Sequence, residues 1–484
     1  MRTKKVVEIK EFNNFNDLEN GIKTKSFYNY LPTNKLKNSK GIAVAKFPYN
    51  INKKTEAELN IAGAGVEYVK GLGYFKQFFP ENGKTVHRLF VYANNNKIYF
   101  NQLLSSTYEL FDLYDLSFDS APIILNFKKD GEDASIMACD NSMTIWITNY
   151  SPYTIENVPI ITSMCMNEGV LFCTIKEPAF KIWYATDLDA ENIGSITNNS
   201  GYVSLEDDFG YARKVVVLNE DVYVFRDYGI SKINHIKNDI SASQIYSSNT
   251  LIYSNTVCVC GNSILFMTNN GLYSFNGVKV SKMKVEILNG INFANDSACA
   301  ASMGEKYYLA LRMNFEDNKQ ILCEEQDYVN NALLIIDTAN FNYEIIRGVD
   351  INSLLPIKTP AFEKMLVVFN SQFKEKIGQI DDNSQIIGVN LPKFWCSDSI
   401  VENYNTKLFT KLIVKADKDV KISLKHENKQ TDFHTYTSGV NEFAFKLCCK
   451  DLKVEISSNC ESANVESVEL NYYEYWLSAF KQIS

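Results

Sequence analysis

Histidine is scarce in this chain. The four present, His87, His235, His426 and His434, fall in no HExxH or other paired-ligand spacing, so the common zinc-hydrolase signature is missing. No GxSxG elbow and no P-loop occurs either, which removes the usual sequence marks of serine hydrolases and of nucleotide phosphate binding. Long apolar runs are absent as well. No segment approaches the roughly 18 apolar residues of a membrane helix, and Met1-Arg2-Thr3-Lys4-Lys5-Val6-Val7 does not lead into a signal-peptide core. The expectation is a chain made in the cytoplasm, with no membrane partner. Excess positive charge is lacking too: 49 Lys and Arg stand against 57 Asp and Glu, for a net charge of −8. A protein that grips nucleic acid does so with clustered cations on phosphates, so this balance argues against DNA binding. DNA passing through an acidic or neutral lumen is compatible with it.

Cysteine is present but poorly arranged for chemistry. The count of 11 is odd, and Cys139, Cys173, Cys258 and Cys260 sit inside apolar strand-like runs, where a thiol behaves as a small hydrophobe. A structural zinc site takes a two-residue gap and a second pair. Cys258-Val259-Cys260 has one intervening residue, which places both thiols on one face of a strand, and Cys448-Cys449 has none, which places them on opposite faces. The reading is reduced structural thiols, no metal and no cofactor.

What the chain does have is aromatic residues and alternation. It holds 28 Tyr and 30 Phe, with mean hydropathy −0.19, and its apolar positions recur every second residue rather than every three to four. The stretch Lys181 to Ile233 shows this best. Val215 and Val217, then Val222 and Val224, line one face of a hairpin turned at Asn219-Glu220-Asp221. Further hairpins are expected at Leu89 to Asn101, Ser135 to Thr148 and Ser263 to Phe275. In the last, Asn270-Gly271 is expected to supply the positive φ angles of a tight turn. Hairpins at steps of about 40 to 50 residues match four-stranded propeller blades, about five to seven of them. From Lys407 the strands lengthen (FTKLIVKA, NEFAFKLCC, SVELNYYEYW) in the manner of a β-sandwich. The fold class read here is all-β: an N-terminal arm over 1–55, a β-propeller over 56–395 and a jelly-roll-like C-terminal sandwich over 396–484.

Acidic constellations are thin. Asp187, Asp189 and Glu191 share the odd spacing of a calcium loop, but Asn192 stands where that loop needs Gly and Asn198 where it needs Glu. Gly63-Ala64-Gly65 begins like GxGxxG, yet Tyr68 replaces the third glycine. Glu206, Asp207 and Asp208 are the acids a glycosidase could use, although acids beside Gly210 read equally as a solvated turn. No catalytic residue is assigned, and the chain is read as not an enzyme. Tyr472, Tyr473, Tyr475 and Trp476 could stack on sugars, anchor a partner or simply pack a final strand.

Three segments carry a resemblance. The aromatic strand Ile182-Trp183-Tyr184 with Thr186-Asp187-Leu188, then Val224-Phe225 before Gly229-Ile230, resembles the β-propeller proteins of phage tails, in particular the packaged-DNA stabilisation (tail hub or nozzle) family of short-tailed phages. Tyr28-Asn29-Tyr30-Leu31-Pro32-Thr33-Asn34 is similar to that family's opening segment, and Ala64-Gly65-Val66-Glu67-Tyr68 to its first blade. The resemblance implies a virion protein of the tail or head-to-tail junction, assembled in a homo-oligomeric ring of hexameric order. It also implies contact with portal or adaptor proteins, and DNA passing through without sequence-specific contact. Phe27, Tyr28, Tyr30, Leu31 and Pro32 are the candidate subunit interface, being aromatic and apolar ahead of the first blade. The alternative is a glycan-binding propeller, lectin-like or receptor-binding, possibly a glycosidase.

Overall fold

The computed structural model describes residues 3–10 and 22–24, most of 69–283, 295–313, most of 328–380, 393–396 and most of 407–474. Among them every regular element is a strand, and every strand pairing is antiparallel. The candidate interface Phe27 to Pro32, the Ala64 to Tyr68 segment, the Asp187 to Glu191 acids, Glu206, Tyr475 and Trp476 all lie outside the described residues.

Between Val69 and Ile380 the strands fall, in chain order, into seven separate sheets: 69–117, 123–156, 161–204, 212–247, 252–282, 299–347 and 350–380, called sheets 1 to 7 below. Each is a meander in which a strand pairs with its sequence neighbour. The first six have four strands and the seventh has three among the described residues. Two-residue loops close the opening hairpins of sheets 3 to 6, as in Leu218 paired with Asp221 around Asn219 and Glu220. Both of those loop residues take positive φ (50° and 67°), the backbone that matches the twist of the strands. The hairpin at Asn269-Asn270-Gly271 departs from expectation. Its loop is Asn269-Asn270, and Gly271, paired with Thr268, carries the positive φ of 123° as the first residue of the returning strand. Glycine is used just past the loop, where the returning strand begins with a positive φ that a side chain would strain.

Period-two alternation decides the packing. Val222 and Val224 enter one buried cluster with Val215, and Val217 packs against it, while Tyr223 and Phe225 enter another. The first cluster also takes Phe172 and Ile182 from sheet 3, and the second takes Phe266 and Phe275 from sheet 5. Sheet 4 is thus apolar on both faces because it is covered on both. Sheet 1 repeats the rule, with Phe90 and Tyr92 facing Met137 of sheet 2 while Val91 and Ala93 meet Val368 of sheet 7. Each fully buried side chain of this size is worth about 2 kcal/mol. The first strand of each sheet lies against the first strand of the next, and that of sheet 7 lies against that of sheet 1.

The C-terminal residues form two facing sheets. One runs, in spatial order, Ile22–Thr24, Thr3–Lys10, Val465–Glu474, Lys407–Ala416, Gly439–Cys449, and the other Lys393–Cys396, Lys453–Ser458, Lys421–His426, Lys429–His434. Leu412, Val414, Val468, Leu470 and Tyr472 on the first and Ile422, Leu424, Val454 and Ile456 on the second are buried in a single cluster. Tyr472 is 2% exposed and its ring centre lies 5.3 Å from that of Phe409, tilted by 39°, so it packs the core. That cluster also contains Tyr308, Leu333, Ile351 and Val367, which fuses the two-sheet unit to sheets 6 and 7. Thr3–Lys10 is held by eight consecutive pairs to Val465–Glu474, with Val7 opposite Leu470 and Ile9 opposite Val468.

The junction of sheets 7 and 1 carries its own hydrogen bonds. The Tyr74 hydroxyl donates to the Lys358 carbonyl oxygen at 3.1 Å and lies 2.6 Å from His87 Nδ1. A phenol has one proton, so while it serves Lys358 the His87 Nδ1–H is the donor to the phenol oxygen. Burial, with the Asp133 charge, raises the Tyr74 pKa to about 12, which keeps that proton in place. Asn126 Nδ2 donates to the Tyr74 carbonyl at 2.7 Å and ties in sheet 2. Tyr74→Phe removes both hydroxyl contacts and is expected to lower stability by about 1 kcal/mol, read as a fall in urea midpoint at unchanged slope. An unchanged midpoint would show that this hydroxyl does not hold the junction.

Candidate functional site

The only fully buried arginine among the described residues, Arg226, organises one end of sheets 3 and 4. It sits at the end of the run Val222-Tyr223-Val224-Phe225, and its side chain is 0% exposed. A guanidinium survives burial only when its forked donors are all met. Here Nε and Nη2 donate to the Gly210 carbonyl (3.1 and 2.7 Å), Nη2 donates to that of Leu205 (2.9 Å), and Nη1 donates to Asp207 (2.7 Å). The cation thus closes the connection between sheets 3 and 4 from beneath. Asp207 Oδ1 accepts from the Phe209 amide, and the Phe209 carbonyl accepts from the Tyr228 amide.

A second carboxylate fixes the outer side. Asp227 accepts from the Tyr211 amide (2.9 Å) and from Arg213 Nε (2.7 Å), and its own amide donates to the Tyr211 carbonyl. Gly210 makes the approach possible. At φ +81° a side chain is strained, and a Cβ would stand 2.6 Å from that of Asp227. The result is a rigid platform bearing two outward tyrosines, Tyr211 (51% exposed) and Tyr228 (43% exposed), with exposed Asp208 beside them. The Arg213 guanidinium carbon lies 5.2 Å from the Tyr211 ring centre, a cation–π contact.

Of the acids singled out from sequence, Asp207 is a structural partner. Burial pushes its carboxyl up, but the Arg226 hydrogen bond, the Phe209 amide and the guanidinium charge outweigh this and hold it below the usual range. Such a carboxylate cannot act as a proton donor near neutral pH. Asp208 projects to solvent. Arg226, Tyr211 and Tyr228 were not singled out. The available signal was Phe225-Arg226-Asp227-Tyr228, a charge at the end of an otherwise apolar strand.

The thiols are placed for packing. Cys260 lies in the cluster between sheets 5 and 6 with Cys258 against it, on one face as the spacing requires, while Cys448 is exposed and Cys449 buried. Burial pushes Cys165 and Cys260 up to about 12 and Cys258 to about 11. Among the described residues no group of three His, Cys, Asp or Glu could hold a metal ion, and no helix is long and apolar enough to cross a membrane.

No protein-family model matches the sequence, and no curated protein does. Solved structures similar to it include the N-terminal domain of BBS1 in complex with ARL6, with 9% identity over 66% of this chain and 94% of that one and a TM-score of 0.41. A functionally unknown protein from Desulfotomaculum acetoxidans has 9% identity over 57% and 86%, at 0.35. An exo-β-1,3-galactanase from Phanerochaete chrysosporium has 8% identity over 82% and 81%, at 0.23. These scores are too low to carry a fold or a function to this chain.

Three outcomes are expected. Arg226→Met takes the guanidinium donors from the Gly210 carbonyl, from Asp207, which keeps the Phe209 amide, and from the Leu205 carbonyl, which keeps the Asp207 amide; it should cost about 2–4 kcal/mol, the lower part of that range reflecting the 38% exposure of the Asp207 side chain. Because the Asp207 pKa is depressed on folding, its contribution is present above the unfolded carboxyl pKa and is lost as pH falls through the folded value. The stability gap between the parent and Asp207→Asn should therefore close in acid, and a gap constant with pH would contradict the assignment. Separately, iodoacetamide on the native protein at neutral pH should modify Cys448 ahead of Cys165, Cys173 and Cys260, as peptide mass mapping can show.

Proposed function

We propose that the seven sheets are the blades of a closed β-propeller carrying a β-sandwich on its last two blades, and that the chain is a ring-forming structural subunit of a bacteriophage tail or head-to-tail junction. The observation that supports this most is mechanical. The first strands follow one another around all seven sheets and back to the first, each junction has its own apolar cluster, and the cluster of sheets 6 and 7 continues into the C-terminal unit. Such a body is a rigid block with short edges, suited to heterologous contacts that repeat around an axis. The resemblance of three sequence segments to tail hub proteins gives the block its place, and the net charge of −8 suits a conduit that DNA traverses without sticking. The chain works by assembly and not by turnover, in the virion, beside portal or adaptor proteins and with hexameric order.

The ring reading puts the subunit interface at Phe27, Tyr28, Tyr30, Leu31 and Pro32. Since residues 3–10 belong to the C-terminal sheet, the informative deletion removes 25–36 and keeps the N-terminal strand. Mass photometry of the purified parent is expected to show a ring, alone or with portal or adaptor protein, and the deletion a folded monomer with parental circular dichroism. A parent that stays monomeric with every such partner, or a deletion that still forms rings, would overturn the respective reading.

A further inference from the structure

A meander leaves its last strand with one unpaired edge, so among the described residues each of sheets 1 to 7 ends in a row of free backbone groups. Six of those strands are guarded by charge or by brevity. Asp112–Ser117 carries two Asp, and Lys374–Ile380 opens with Lys374-Glu375-Lys376. Tyr153–Glu156, Ser200–Ser204, Val280–Lys282 and Tyr343–Arg347 are no longer than five residues. Asp239–Ser247 of sheet 4 is the exception. It has nine residues, and after Asp239 it holds neither charge nor proline. Its pairing with Gly229–Ile236 is regular over the six residues from Asp239 to Gln244 and breaks at Ile245, the extra residue of a bulge. No other backbone hydrogen bond reaches 239–244 among the described residues. Ser241, Ser243 and Gln244 are exposed, so small or unbranched side chains leave that edge open to approach.

We propose that this edge receives residues 26–31 of a neighbouring copy as an added strand. The inference rests on the ring reading and names what the N-terminal segment docks against. Ser26-Phe27-Tyr28-Asn29-Tyr30-Leu31 is six residues long, uncharged and rich in strand-forming aromatics, and Pro32 ends it, because proline cannot continue a ladder. Donor and edge thus match in length, and neither brings a charge to be buried. Their alternation matches too. Ile240 and Ala242 pack against the apolar cluster of sheets 3 and 4, while Ser241 and Ser243 face the other way. An added strand continues the first row with Phe27 and Leu31, and sets Tyr28 and Tyr30 beside the serines with their hydroxyls in water. The flanks are complementary in charge: residues 21–54 hold eight Lys and no Asp or Glu, whereas residues 161–247, which span sheets 3 and 4, hold 12 acids against seven Lys and Arg. A neighbouring copy is the donor because of where the segment is tethered. It starts on the unit that packs against sheets 6 and 7 and leads to Val69 of sheet 1, while sheet 4 lies three places from sheets 7 and 1 alike. A donor on one side of the body and an edge on the other are the two unlike patches that a head-to-tail ring needs.

The test is amide hydrogen exchange read by mass spectrometry on the full chain, as the ring and after dilution to monomer. Outward amides of 240–244 should exchange at least about tenfold more slowly in the ring. Ser241→Lys combined with Ser243→Lys sets two cations against a Lys-flanked strand and should abolish the ring at unchanged melting temperature, whereas Ser241→Thr with Ser243→Thr should assemble like the parent. A synthetic peptide of residues 23–37 added to the monomer should slow exchange at 240–244 in the parent and not in the lysine variant. A ring in which 240–244 exchange as in the monomer, or a lysine variant that assembles like the parent, would overturn the edge assignment and leave the ring reading standing. A parent that stays monomeric while the peptide slows 240–244 would end the ring reading and keep the edge assignment. Equal protection in the dilute monomer would place the segment on its own chain and overturn the exchange between copies. A monomeric parent on which the peptide has no effect would overturn both.

Discussion

Every sheet between Val69 and Ile380 has to bury two faces. A four-stranded antiparallel meander with Val222 and Val224 on one side and Tyr223 and Phe225 on the other cannot satisfy both against solvent or against one partner. It needs a neighbour on each side, and each neighbour needs another. A row of such sheets would end in two uncovered apolar faces, unless the last sheet meets the first. Val91 and Ala93 of sheet 1 meeting Val368 of sheet 7, and Leu89 meeting Ile357 and Leu366, are that meeting. The polar contacts at Tyr74 follow from it: once two sheets far apart in sequence are forced together, the half-buried Tyr74 hydroxyl and the buried His87 imidazole must find partners.

The same constraint explains what could be read from the sequence. Period-two runs and two-residue turns are local, so the hairpins at Leu89 to Asn101, Val215 to Phe225 and Ser263 to Phe275 were legible, as was the all-β class. The turn at Asn270-Gly271 was legible as a turn but not in its details. Whether glycine lies in the loop or just after it depends on the register of Thr268 with Gly271, which the whole sheet sets. Pairing between chain ends was not legible. Thr3–Lys10 beside Val465–Glu474 is a long-range match of eight residues in a segment that reads as polar and Lys-rich.

Arg226 was illegible for a related reason. Its three acceptor groups come from residues 205, 207 and 210, which are brought under it only when sheets 3 and 4 pack. From sequence, Glu206, Asp207 and Asp208 are three acids in a turn, equally suited to catalysis or to solvent. The fold separates their roles. Asp207 is pulled inward by a cation and held ionised, while Asp208 is left outside. A constellation of acids therefore says little until the buried partner of each is known.

The order of the sheets keeps the C-terminal unit apart from the connection held by Arg226. The C-terminal unit draws its strands from residues 3–10, 22–24, 393–396 and 407–474, and its residues between Phe409 and Tyr472 share one apolar cluster with sheets 6 and 7. Sheets 3 and 4, three places away in the sequence of sheets, are joined to each other by apolar residues but present a polar, aromatic end held by Arg226 and Asp227. Changes to the exposed tyrosines there do not disturb a cluster, because Tyr211 and Tyr228 belong to none. The two exposed tyrosines can thus change without loss of the contacts that hold the sheets together.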